Sequence, residues 1–204
     1  MKKLMMIAAM MLMSMGAFAQ NEVGQVTLKP MVGLNLATMT KTDDSKMRVG
    51  LAAGVEGEYG VAENFSVTAG VLYSMQGVKF SESGNVYGTN VSLDTTYKLD
   101  YINIPILANY YIVKGLAVKA GIQPAFKASA KVEVEGSAGG SSASKSETLD
   151  GVKGFCLSIP FGLSYEYSDF VLDARYNLGV TKAFENGDPK HSWFMISLGY
   201  KFAL

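Results

Sequence analysis

The 204-residue chain has a single cysteine and a single histidine. One thiol excludes an intramolecular disulfide and any multi-thiolate zinc or iron–sulfur centre, and one imidazole removes most histidine-based metal sites and relays. Neither sign of charge is in excess, with 18 Lys and Arg against 18 Asp and Glu. The basic surplus that displaces phosphate counterions is missing, so nucleic acid is not an expected partner. Only one long apolar run occurs, Leu4 to Met15, and it is shorter than the roughly 20 residues a helix needs to cross lipid. Gly-Lys-Ser phosphate loops, HExxH and GxSxG are absent as well. No catalytic residue, cofactor or metal is expected.

That apolar run follows Met1-Lys2-Lys3 and ends at Ala17-Phe18-Ala19. A basic start, an apolar middle and a small-residue end read as a secretory signal peptide over residues 1–19, with residues 20–204 as one exported domain.

Past Gln20 the pattern is two-residue alternation broken by Gly, Asn, Asp and Ser clusters, which marks an all-β chain. Eight runs are present: Val26–Thr40, Arg48–Tyr59, Phe65–Phe80, Thr96–Ile112, Gly115–Glu135, Lys153–Tyr167, Phe170–Thr181 and His191–Leu204. The connections Lys41–Met47, Ser81–Thr95, Gly136–Val152 and Lys182–Lys190 are long, whereas Gly60–Asn64, Val113–Lys114 and Ser168–Asp169 are tight. An even strand number with long loops on one rim and short turns on the other predicts an eight-stranded antiparallel up-and-down transmembrane β-barrel. Gly136–Val152 is rich in Gly and Ser and is expected to be a mobile loop without a core of its own.

The two strand faces differ sharply. One face of the first run reads Val26, Leu28, Pro30, Val32, Leu34, Leu36, and of the sixth Phe155, Leu157, Ile159, Phe161, Leu163, Tyr165. The other runs repeat this pattern. The opposite face carries Lys29, Glu56, Glu58, Lys119, Asp173, Arg175 and Lys201 among Gly, Ser and Asn. A face that small and polar is not the core of a soluble lipocalin-like barrel, and an apolar outer band in water would aggregate. The band therefore meets lipid. Outward aromatics near the short turns, namely Tyr59, Phe65, Tyr110, Tyr165, Phe170, Tyr200 and Phe202, are expected as a periplasmic girdle.

Eight strands enclose only enough space for their own side chains. The seven inward charges are therefore expected to pair as a structural network, the rival being a narrow gated conduit in which Arg175 exchanges carboxylate partners. His191 and Ser192 at the outer mouth, with Glu185 or Asp188, suggest a lipid-modifying Ser–His–carboxylate set. Adjacent strand residues point to opposite faces, however, which favours an unrelated pair. Cys156 is expected as a small inward filler. Pro105 and Pro160, also inward, remove ladder donors and suggest bends or bulges.

The chain ends Ser197-Leu198-Gly199-Tyr200-Lys201-Phe202-Ala203-Leu204. Ser197, Gly199, Phe202 and Leu204 resemble the C-terminal signal by which barrel assembly machinery recognises its clients, with Phe202 taking the place of a terminal aromatic. MVGLNLATMT, LAAGVEGEYGVAENFSVTAGVLYSMQG, LDYINIPILANYYI, GLAVKAGIQPAF, LDARYNLGVT and SLGYKF follow in order. With them the sequence resembles the PorT-type outer-membrane β-barrel proteins of the Bacteroides group. The resemblance implies an outer-membrane barrel, and in one branch an association with protein secretion and surface attachment.

Taken together, these features point to a non-enzymatic barrel of the cell outer membrane, embedded in its lipid, that is structural or binds an envelope or secretion partner through its long loops. A narrow solute channel and a surface lipid-modifying enzyme are the alternatives. A folded barrel in an outer-membrane fraction should migrate differently on a gel before and after boiling; identical migration would contradict the barrel reading.

Overall fold

The computed structural model describes residues 23–40, 45–86, 89–138, 141–185 and 188–204. The signal peptide expected over residues 1–19 lies outside them. Eleven strands follow in order: β1 Val26–Met39, β2 Ser45–Ala62, β3 Phe65–Val86, β4 Thr89–Asn103, β5 Ile106–Val113, β6 Leu116–Ala138, β7 Ser141–Thr148, β8 Phe155–Tyr167, β9 Phe170–Gly179, β10 His191–Tyr200 and β11 Phe202–Ala203. Neighbours pair antiparallel around a ring of eight staves, closed where β1 pairs with β10 from Met31↔Gly199 to Met39↔His191. Closure matters because lipid offers no partner to an open strand edge.

Two staves are made of two strands each. β4 and β5 meet at Ile104-Pro105, where proline cannot donate to the ladder. β10 and β11 meet at Lys201, whose N–H turns to the carbonyl of Asp169 at 2.7 Å. Pro160, by contrast, makes no bend. It lies opposite Asn177 in an unbroken β8–β9 register, and its missing donor shows only as a gap in the β6–β8 ladder between Ala120↔Phe161 and Gln123↔Ser158.

Two of the expected long loops are β-structure. β3 has 22 residues and β6 has 23, about twice the 9–11 that a tilted strand needs to span lipid. Their surplus continues upward as a hairpin with β4, from Phe80↔Thr95 to Val86↔Thr89. A second hairpin with β7 runs from Lys131↔Thr148 to Ala138↔Ser141. The Ser/Gly composition misled because Val132 and Val134, one strand away, give β7 a template that its own residues do not advertise. Gly77 lies in this upper region with φ +134°, and a Cβ there would strike the Tyr97 carbonyl, so only glycine fits.

Outside, the strands present their apolar residues to the surroundings: Val32, Leu51, Val71, Ile122, Leu163 and Leu198 are among the many left exposed. Near the short turns Phe170 stacks edge-on against Tyr200 at 5.2 Å, and Tyr200 against Phe202 at 4.7 Å. Inside, the wall is Gly, Ser, Asn and charge below, and increasingly apolar above. An arginine at the centre of the outer band has neither water nor a partner. Val71→Arg should therefore cost about 2–4 kcal/mol of stability in lipid vesicles, measured by urea unfolding, and an unchanged midpoint would contradict the placement of the band.

Candidate functional site: the barrel lumen

The lumen is filled in two stages, charged below and apolar above. In the charged stage Arg175 of β9 is fully buried. Its guanidinium donates to both oxygens of Glu56 on β2, at 2.5 and 2.8 Å, and to both oxygens of Asp173, at 2.6 and 2.9 Å. Two fork-to-carboxylate contacts use four of its five N–H donors. Lys29 of β1 reaches Glu56 at 2.8 Å, and Lys119 of β6 reaches Asp173 at 2.9 Å. These five side chains therefore tie β1, β2, β6 and β9 together across the barrel.

Nearer the short turns Lys201 sits 2.5 Å from Glu166 and 3.4 Å from Glu58. Ser66 and Tyr111 each donate to Glu58 at 2.5 Å. Glu166 was not among the candidates from sequence, since it lies directly after the alternating stretch that ends at Tyr165. Its parity along β8, shared with Ser158 and Ser164, marks it as inward. With Glu166 included, the four cations Lys29, Lys119, Arg175 and Lys201 face four carboxylates, so this charged stage is neutral among the described residues.

Glycines make the room. A Cβ at Gly70 would come within 2.7 Å of Glu56, at Gly162 within 2.8 Å of the Arg175 Cα, and at Gly199 within 2.8 Å of Lys29. Small residues on this face are thus the space into which the long charged ones fold.

Above the charges lies a polar tier that includes Asn35, whose amide donates to Ser74 at 3.0 Å. An apolar cap follows, of Met39, Val78, Leu99, Tyr101, Ala125, Ala130, Val152, Cys156 and Ala183. Two extracellular segments fold in to complete it. Val152 and Phe184 form a β-bridge, Lys153 donates to the Ala183 carbonyl at 2.9 Å, and Glu185 donates to Gly151 at 2.9 Å. Sequence reading missed this cap because Met39, Val78, Leu99 and Tyr101 stand on the face judged small and polar, as do Met31, Leu72 and Trp193 of a second buried apolar cluster.

The remaining candidates separate. His191 is buried with Nε2 3.3 Å from the Tyr101 hydroxyl, whereas the Ser192 hydroxyl lies 2.6 Å from that of Tyr176. The two side chains thus have different partners. Asp188 pairs with Lys182 at 2.7 Å, and Glu185 is exposed. Cys156 is buried, with its sulfur 3.8 Å from both the Tyr101 hydroxyl and the Lys182 carbonyl. Among the described residues no group of three or more His, Cys, Asp or Glu could hold a metal. Of the C-terminal residues, Ser197 is buried, while Phe202 and Leu204 are exposed. The N–H of Leu204 donates to the Val26 carbonyl at 3.0 Å across the closing seam.

A closed ring with lipid-facing apolar walls and a packed, charged interior defines an integral membrane β-barrel. Residues 18–185 match the family described as outer membrane protein beta-barrel domain, and the chain belongs to that family. Like other outer-membrane barrels, it sits in the lipid bilayer. Solved structures similar to it include Ail, the attachment invasion locus protein of Yersinia pestis, at 15% identity and TM-score 0.45, covering 89% of this chain and 100% of that one. Neisserial surface protein A is 11% identical with TM-score 0.45, over 87% of this chain and 97% of that one. Acinetobacter baumannii CarO2 is 14% identical with TM-score 0.41, over 90% and 100%. No curated protein matches the sequence.

Removing one partner from a buried ion cluster strands the others, at a cost of about 3–5 kcal/mol. Arg175→Met should lower the urea midpoint accordingly, and adding Glu56→Gln, Asp173→Asn, Lys29→Met and Lys119→Met, which removes every charge of the cluster, should restore much of the loss. Strictly additive effects would show that these groups do not act as a unit.

Proposed function

We propose that this is a non-enzymatic outer-membrane barrel with a sealed lumen, which works by presenting its two long hairpins, β3–β4 and β6–β7, to an envelope or secretion partner. The observation that carries this reading is the double filling of the lumen. A neutral ion network fixes the lower half, and the cap built on Val152 and Ala183 covers the upper half, so the described residues fill the interior at both levels. Functional variety on a rigid scaffold then falls to the segments projecting from it.

The PorT-type resemblance across the strands supports the finer placement within the family and its link to secretion and surface attachment. In the same reading residues 1–19 direct export and leave residues 20–204 as the barrel domain. Ser197, Gly199, Phe202 and Leu204 present the strand end that barrel assembly machinery recognises. Lys29, Glu56, Glu58, Lys119, Asp173, Arg175 and Lys201 serve structure rather than transport, since Arg175 holds both carboxylates at once and has no free one to exchange with. The different partners of His191 and Ser192 weigh against a lipid-modifying activity.

Cross-linking in intact cells and affinity purification from native outer membrane should recover a stoichiometric partner. It should be lost when Ser81–Thr95 or Gly136–Val152 is shortened, while planar bilayers show no discrete conductance. Recovery of the barrel alone together with ion-selective conductance steps would contradict the proposal and favour a channel.

A further inference from the structure

Above the lipid band the outward wall of β2, β3, β4 and β6 sets lysine against lysine on neighbouring strands. The last apolar residues of the band there are Val49, Met75, Ile102 and Phe126. Beyond them Lys46 lies directly opposite Lys79, and Lys98 directly opposite Lys131. The β3–β4 register sets Lys79 against Thr96 and Gly77 against Lys98, so all four lysines share one face. The other face of these strands carries the buried Val78 and Leu99, which makes the lysine face the outer one.

Like charges placed directly opposite destabilise a sheet. Here two such pairs are kept on an exposed wall that would accept any polar residue. Internal carboxylates satisfy only half of the set: Asp94 lies 2.9 Å from Lys79, and Glu133 pairs with Lys98. Glu135 lies opposite Asp94, one level farther from the band, and Asp100, below, takes the Tyr73 hydroxyl at 2.9 Å and pairs with Arg48. Lys46 and Lys131 are exposed and form no ion pair within 4.0 Å among the described residues.

Their height identifies what would neutralise them. Lys79 is four residues beyond Met75, and Lys98 four beyond Ile102. At about 3.3 Å per residue and a tilt of roughly 40°, the lysines stand about 10 Å above the hydrocarbon edge. That is the outer part of the headgroup layer, and a lysine stem bends readily toward it. We propose that Lys46, Lys79, Lys98 and Lys131 form a binding site for the phosphate-bearing headgroup of an outer-leaflet lipid. Lys46 and Lys131 supply the uncommitted charge, and the Lys79–Asp94 and Lys98–Glu133 pairs hold the frame.

The variant K46Q/K131Q removes the uncommitted charges and leaves both ion pairs intact. Purified barrel in non-ionic detergent would be titrated with phosphorylated lipid A, with dephosphorylated lipid A and with inorganic phosphate, and lipid retention read by native mass spectrometry. Wild type should prefer the phosphorylated lipid at least tenfold and the variant should lose that preference, with heat-dependent gel mobility unchanged as the check on folding. Equal retention of both lipids by wild type, or an undiminished preference in the variant, would overturn the site. Displacement of the lipid by inorganic phosphate at equal concentration would overturn lipid as the source. Melting gives a second, sign-reversing readout. Relief of the opposed charges should leave the variant's melting temperature equal or higher in plain detergent, yet lower than wild type in phosphorylated lipid, and a shift of one sign in both media would also overturn the proposal.

Discussion

The contact on which the rest depends is the double clamp of Arg175 on Glu56 and Asp173. A barrel in lipid is apolar on the outside whether folded or not, so hydrophobic burial of the outer wall does not by itself specify how the strands close. Specificity has to come from within. An arginine with no solvent and two carboxylates from different staves is satisfied in one arrangement only, because each missing contact leaves an uncompensated charge at low dielectric. Lys29 and Lys119 extend the clamp to β1 and β6, and the glycines at 70 and 199 are dictated by it, since each faces one of its long side chains, while Gly162 lets the β9 backbone at Arg175 approach closely.

The tiers above follow from this choice. Charges concentrated near the short turns leave the upper lumen to be closed by other means, and Met39, Leu99, Tyr101 and Val152 do so as a small apolar core beneath the extracellular segments. Sequence polarity thus reverses along the barrel axis. Within the band the outer face is apolar and the inner face charged. Above it, on β3, β4 and β6, the inner face carries Val78 and Leu99 and the outer face carries Lys79, Lys98 and Lys131. The level at which the faces exchange marks the membrane surface, and the hairpins beyond it are built as an ordinary water-soluble sheet would be.

Eight staves, their order and their two faces could be read from alternation alone, because lipid enforces a period of two without exception across the band. The seven inward charges could be read for the same reason. What escaped was whatever depended on a neighbouring strand. Glu166, directly after the alternating stretch Phe155–Tyr165, is drawn inward by Lys201 of the last strand. β7, with the sequence SSASKSET, has no strand signal of its own and is ordered by β6. The cap was hidden because large inward side chains such as Met39, Leu99 and Tyr101 are scattered along separate strands and meet only when the ring closes. Pro160 misled in the opposite sense, since a strand paired on both sides absorbed its missing donor without bending.

The central claim is that Arg175 is locked, dry and shared between two carboxylates. Its most direct test is hydrogen exchange of the Arg175 guanidinium, followed by nitrogen-resolved NMR of the barrel in lipid nanodiscs. The account predicts side-chain N–H signals that persist in heavy water as long as those of the central ladder amides, with shifts reporting charge-assisted bonds on both edges of the guanidinium. Exchange as fast as that of the only partly buried Arg48 would mean that water reaches the clamp, and a lumen open to water at that level would contradict the account.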